Sequence, residues 1–87
     1  MEIVYTEQAQ EDRAFWKDSG KKSIQKKIGE LIDSIKETPF TGIGKPEALK
    51  HKYAGMWSRR INSEHRLIYE VGEEKIFIHA MHGHYTN

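Results

Sequence analysis

The sequence predicts an α+β fold in which two N-terminal helices pack on a twisted, mainly antiparallel sheet of four to five strands. Residues 24–35 repeat apolar side chains on a 3.6-residue period. Everything after Pro39 switches to short apolar runs separated by glycine and polar turns. Size sets the third bound. A chain of 87 residues without cysteine, internal repeat or linker suits a single domain, 1–87, with one core and no disulfide framework.

Residues 2–6 alternate weakly, Ile3 and Tyr5 against Val4, and suit a short first strand. Thr6 can then cap a helix, with Glu7 favourably placed beside the unpaired amides of the first turn. That helix runs to about residue 18, offers Ala9, Phe15 and Trp16 for apolar contact, and is broken by Ser19-Gly20. In the second helix Ile24, Ile28, Leu31, Ile32 and Ile35 form one stripe, with Lys21, Lys22, Lys26, Lys27 and Lys36 outside it. Thr38-Pro39 ends it. Residues 40–46 read as a loop, followed by a brief extended piece at 47–51 and a turn at Gly55. Strands at 56–61 and 65–71 are joined by Asn62-Ser63-Glu64. Residues 72–75 turn into a last strand at 75–81, whose Ile76, Phe77, Ile78 and Ala80 suggest a central strand covered on both faces.

The register of that last hairpin stays open in the sequence. An odd loop sets Arg66 opposite His82 and on the face of His84. A two-residue Glu73-Glu74 loop instead pairs Leu67, Tyr69 and Val71 with Ala80, Ile78 and Ile76, and puts His84 across the sheet from Arg66. We expect the odd loop, or a bend at Gly83 with the same result.

Charge is balanced in total, 14 basic against 13 acidic side chains, but unevenly spread. Residues 42–66 hold Lys45, Lys50, Lys52, Arg59, Arg60 and Arg66 against Glu47 and Glu64, a net +4, between flanks of −1 and −2. Such a segment is a candidate anion-binding surface, although it can equally be a solvated basic face. No apolar run approaches the ~18 residues of a membrane span, so no membrane partner is expected. The lack of cysteine is compatible with a reducing cytoplasm.

On a regular strand His82 and His84 share a face and His79 points away, so the three do not converge and no metal site is expected. Gly42-Ile43-Gly44-Lys45-Pro46 lacks phosphate-loop spacing and opens no helix. A Ser-His-Asp arrangement has no support, since Asp12, Asp18 and Asp33 all lie in the helical half. Tyr69 and Trp57 read as core or edge aromatics. What remains is Glu47, Arg60, Arg66, His84 and Tyr85, with Lys50 and Arg59 nearby in sequence as candidate RNA-binding cations.

That set suits phosphodiester chemistry. Cleaving RNA through its own 2′-hydroxyl needs a base for the 2′ proton, an acid for the departing 5′ oxygen, and cations for the phosphorane. An ionised glutamate, an imidazole titrating near ~6.5, and the two-pronged arginine fork meet these needs in turn. A tyrosine can stack on a base or donate to the phosphate. Each residue also has a plainer reading. Glu47 can pair with Lys45 or Lys50, Arg60 and Arg66 can be solvated strand residues, and His84 and Tyr85 lie near an end that can fray.

Two long motifs add a resemblance. Thr38-Pro-Phe-Thr-Gly-Ile-Gly-Lys-Pro-Glu-Ala-Leu-Lys50, then Trp57-Ser-Arg-Arg-Ile-Asn-Ser-Glu-His-Arg-Leu-Ile-Tyr69 with the terminal His84-Tyr85, resemble the YoeB/Txe family of bacterial toxins within the RelE superfamily. The resemblance covers essentially the whole chain. It implies a microbial-RNase-like fold and ribosome-dependent cleavage of mRNA in the bacterial cytoplasm, with neither metal nor other cofactor. It implies Glu47 as general base, Arg66 as phosphate-stabilising arginine, His84 as acid and Tyr85 as substrate-positioning tyrosine, with Lys50 and Arg60 helping to bind RNA. The partners implied are a cognate antitoxin of the YefM/Axe kind, the ribosome and its message, and operator DNA through the antitoxin complex only. Toxin dimers occur in the family. The rival reading is a noncatalytic module that binds nucleic acid or antitoxin in operon autorepression. One departure stands out: many relatives carry a basic and then an aromatic residue before the terminal pair, where this chain has His82-Gly83. A glycine there is expected to loosen the strand end.

Overall fold

The chain, in a computed structural model that describes residues 1–85, begins with strand β1 (Glu2–Tyr5) and turns at Thr6 into helix α1 (Glu7–Ser19). The expected span of 1–87 takes in residues 86 and 87, which lie outside the described residues. Thr6 Oγ1 accepts from Ala9 N at 3.3 Å and donates to His79 O at 3.2 Å, so one hydroxyl caps the helix and ties its start to the sheet. Gly20 closes α1 as its C-cap. Helix α2 (Lys22–Glu37) buries Ile28, Leu31 and Ile35, with Ile24 and Ile32 packed beside them. Full burial of an isoleucine or leucine is worth ~1.5–3 kcal/mol, so the stripe is what holds α2 to the sheet. The Thr38 amide ends the helix by donating to Ser34 O at 2.8 Å. Among the described residues no helix is long and apolar enough to cross a membrane.

Next come β2 (Glu47–Ala48), a 3-10 turn (His51–Tyr53), β3 (Trp57–Arg60), β4 (Arg66–Val71) and β5 (Lys75–Ala80). They join β1 in one five-stranded sheet of order β1-β5-β4-β3-β2, with β1 parallel to β5 and every other pairing antiparallel. Trp16, Leu31, Ile35, Leu67, Tyr69, Ile76 and Ile78 form the main core between helices and sheet. A smaller cluster of Leu49, Ile68 and Ala80, with Tyr53, Met56 and Tyr85 against it, lies on the opposite face. β5 is an inner strand as expected, but Phe77 and His79 on its second face are only half-buried.

The last hairpin combines both anticipated registers. At its tip Val71 pairs with Ile76 and Tyr69 with Ile78, which is the two-residue loop and corrects the odd loop expected there. A β-bulge then pairs Ile68 with Ala80, leaving His79 as the extra residue. In an unbroken strand positions 76, 78 and 80 share a face. Here Ile76 and Ile78 enter the main core, Ala80 joins the smaller cluster, and Met81 returns to the main core. The chain beyond Ala80 therefore runs on beside Arg66, whose amide donates to Gly83 O at 2.9 Å. Gly83 makes the bend, at φ +112°, a conformation L side chains rarely adopt.

Candidate active site

Sheet register builds the site row by row on the face away from the helices. Glu47 lies opposite Ser58, Ser58 opposite Ile68, and Ile68 opposite Ala80. Arg60, two residues beyond Ser58 on the same face, lies opposite Arg66. The result is a cleft of about 380 Å³ that Glu47, Arg60, Arg66, His84 and Tyr85 all line, together with Lys45, Leu49 and Ser58. A larger groove of about 670 Å³ runs between α1 and α2, but none of these five residues lines it.

Arg66 is aimed by the turn before it. Asn62 Oδ1 accepts from Glu64 N at 2.9 Å and His65 N at 2.7 Å, folding the turn over its own side chain. The carbonyls so presented take Arg66 Nη1: Asn62 O at 2.8 Å and His65 O at 3.2 Å. Arg66 is 9% exposed, and its Nε and Nη2 make no hydrogen bond among the described residues. No buried side-chain nitrogen or oxygen there lacks a partner, so those remaining donors open on the cleft.

Arg60 and Arg66 face each other closely. The Arg60 amide donates to Gly44 O at 2.6 Å and the Arg66 amide to Gly83 O, so this pair exchanges no main-chain bonds. Side chains approach most closely in such pairs. Two guanidinium groups beside Lys45, against the one carboxylate of Glu47, give a lining that favours an anion over a metal cation.

The remaining residues divide clearly. Tyr85 packs edge-on to Tyr53, ring centroids 5.4 Å apart, and burial first, then Tyr53 and Asp12, pushes its phenol above the usual range. Its hydroxyl is thus a donor throughout the neutral range. His84 is exposed at the cleft. Lys50 is exposed one residue beyond Leu49 and is not among the lining residues. Of the other two histidines weighed as ligands, His79 Nε2 lies 3.0 Å from Glu70 Oε1 and His82 stacks on His65.

Arg59 corrects the expectation of an RNA-binding residue. It is 0% exposed and points to the helix side. Its Nε donates to Tyr69 Oη, Nη1 to Ser34 Oγ and Ile43 O, and Nη2 to Thr38 O and Thr41 O, at 2.7–3.1 Å. All five donors are thereby used, and none is left for a phosphate. Neighbouring strand residues face opposite sides, so one of Arg59 and Arg60 had to turn inward.

Sequence reasoning also missed what holds the tail. Asp12, on the α1 stripe with Ala9 and Trp16, is buried and accepts the Met81 amide at 2.8 Å. Trp16 Nε1 donates to Met81 O at 2.7 Å. His65 Nδ1 accepts the Gly83 amide at 3.0 Å. The expected loosening at Gly83 is corrected accordingly: both its main-chain polar groups are bonded. The signal for Asp12 was its spacing, three residues after Ala9 and four before Trp16.

The profile of a family described as YoeB-like toxin of bacterial type II toxin-antitoxin system matches residues 5–85. The Escherichia coli K12 protein named Toxin YoeB is 46% identical over 85 residues, 98% of this chain and 100% of that one. The solved YoeB/ParE toxin from Agrobacterium tumefaciens superposes with a TM-score of 0.92 at 40% identity, covering 98% of this chain and 100% of that one. Staphylococcus aureus YoeB, 43% identical over 98% of each chain, has been solved as a dimer and in a heterotetrameric YoeB-YefM complex, with TM-scores of 0.88 and 0.87.

Proposed function

The chain belongs to the family of YoeB-like toxins of bacterial type II toxin-antitoxin systems, and we propose that it is an endoribonuclease that cleaves translated mRNA on the ribosome. The observation that carries this reading is the single cleft shared by Glu47, Arg60, Arg66, His84 and Tyr85. In the proposed reaction the Glu47 carboxylate takes the 2′-hydroxyl proton as the 2′ oxygen bonds to phosphorus. The bond from phosphorus to the 5′ oxygen breaks, and His84 gives that oxygen its proton, leaving a 2′,3′-cyclic phosphate and a 5′-hydroxyl. Arg66 and Arg60 stabilise the charge of the phosphorane, and Tyr85 positions the substrate. Each acid–base step is worth ~10²–10⁴-fold. The chemistry needs no metal.

The partners proposed are a YefM-like antitoxin, in keeping with the S. aureus complex, the ribosome, and a second toxin copy. Operator DNA is reached through the antitoxin complex. Primer extension on a translated message, with and without the protein, tests activity and translation dependence together. Cleavage should appear only on translated message, persist in a chelator, and vanish when the attacking 2′-hydroxyl is replaced by hydrogen. Cutting of the deoxy substrate, or equal growth on inducing the wild type and the Glu47→Ala, His84→Ala double variant, would reject the reading.

A further inference from the structure

His84 and Tyr85 reach the cleft from a segment with no ladder of its own, since β5 ends at Ala80. Their position depends on how residues 81–83 are held. Met81 is fixed from α1 by Asp12 and Trp16, but at Gly83 the chain changes direction. Two groups grip that bend: the Arg66 amide on Gly83 O at 2.9 Å, and His65 Nδ1 on Gly83 N at 3.0 Å. The first is main chain and present whatever the side chain. The second depends on an imidazole outside the cleft lining.

We infer that His65 is a positioning residue: as a neutral acceptor for the Gly83 amide it fixes the bend that carries His84 and Tyr85 to the cleft. A ring nitrogen that accepts an N–H cannot itself carry a proton, so the grip exists only in the tautomer protonated at Nε2. The surroundings favour that state. The ring stacks on His82 at 4.9 Å and meets the edge of Trp16 at 4.8 Å. Burial first, then the charge on His82, holds His65 below the usual histidine range. Lys21 and Arg66 act in the same direction, and Glu64 alone opposes them. Because the folded value is depressed, the grip is complete above the unfolded value of about 6.5 and is lost as pH falls through the folded one.

The inference depends on the proposed cleavage chemistry only for its activity readout, so it is tested in two arms. In the protein alone, NMR follows the Gly83 amide and the His84 and Tyr85 resonances against pH. The Gly83 amide should titrate together with His65 in the wild type. His65→Asn, which keeps an acceptor on the same branch of the side chain, should hold the bend without titrating, and His65→Phe should release it at every pH. In ribosome-dependent cleavage at pH 7.5, His65→Phe should lower kcat by about tenfold to a hundredfold with KM within about twofold, as expected for misplaced reacting groups. His65→Asn should restore most of that kcat and weaken the acid-side fall of the wild type. A Gly83 amide indifferent to His65 protonation, or an unchanged kcat in His65→Phe, overturns the inference. Absence of cleavage by the wild type would instead reject the proposed function, and the NMR arm would still decide the role of His65.

Discussion

Arg60 directly opposite Arg66 is a pairing that folding alone would avoid, because like charges across a strand pair repel. The repulsion is relieved when an anion lies between them. Replacing the exposed partner, Arg60→Gln, should therefore stabilise the free protein by ~0.2–1 kcal/mol. Urea midpoints with and without phosphate check this: phosphate should raise the wild-type midpoint more than that of the variant. Arg66 behaves differently, since its turn holds Nη1 and leaves Nε and Nη2 to the cleft. Arg66→Ala should lower kcat by ~10²–10³-fold with a smaller change in KM, read from single-turnover cleavage. Arg59 belongs to stability. Lysine has three donors on a flexible stem and cannot span the five acceptors that Arg59 joins, so Arg59→Lys strands several at ~1–3 kcal/mol each. A loss on the order of 3 kcal/mol or more in urea unfolding is expected, and a loss below about 1 kcal/mol would contradict the assignment. Charge pattern marked the basic segment but could not sort Arg59 from Arg60. Only the alternation of the strand separates a core arginine from a site arginine.

Among the elements, the helices were the most legible because their signals are local: a capping threonine, a Ser-Gly break and one apolar stripe. Strand positions followed nearly as well. The bulge at His79 was not legible, since no glycine or proline marks it. Without it Ala80 would enter the main core, and the tail would arrive on the wrong face for Arg66. The loop before β2 has no phosphate-loop pattern, and its glycines serve packing. At Gly44, φ is +81°, and an added Cβ would lie 2.6 Å from Leu31 Cδ2 and 3.2 Å from Arg60 O. Gly44 O also accepts the Arg60 amide, so this contact joins α2 to the strand that carries the site. Gly44→Ala should cost about 2 kcal/mol or more from backbone strain and overpacking together. Cleavage at a temperature where the variant stays folded should fall as well, because the edge of the cleft moves with Gly44. Intact stability in thermal melts would refute this.

The whole molecule separates its charge by face. The helical half is slightly acidic in sequence, whereas Lys45, Arg60 and Arg66 gather at the cleft on the other side of the sheet. Arg59, which the sequence counted toward the same basic surface, is taken out of it by burial. A phosphate backbone laid in the cleft thus meets three cations rather than the six basic residues of segment 42–66. Single-stranded RNA releases counterions so that log affinity falls by ~0.7 per neutralised phosphate per log unit of salt. Three contacts therefore predict a slope of about −2 for binding to isolated RNA. Removing a single cleft cation should lower the slope by a fixed step, while removing a cation outside the cleft should not. Lys45→Met is expected to reduce its magnitude by ~0.7, and Lys52→Met, away from the lining, to leave it unchanged. Fluorescence anisotropy with a short labelled RNA across a salt series reads both. A wild-type slope near zero, or equal slopes for Lys45→Met and the wild type, would show that RNA does not lie where the cations converge.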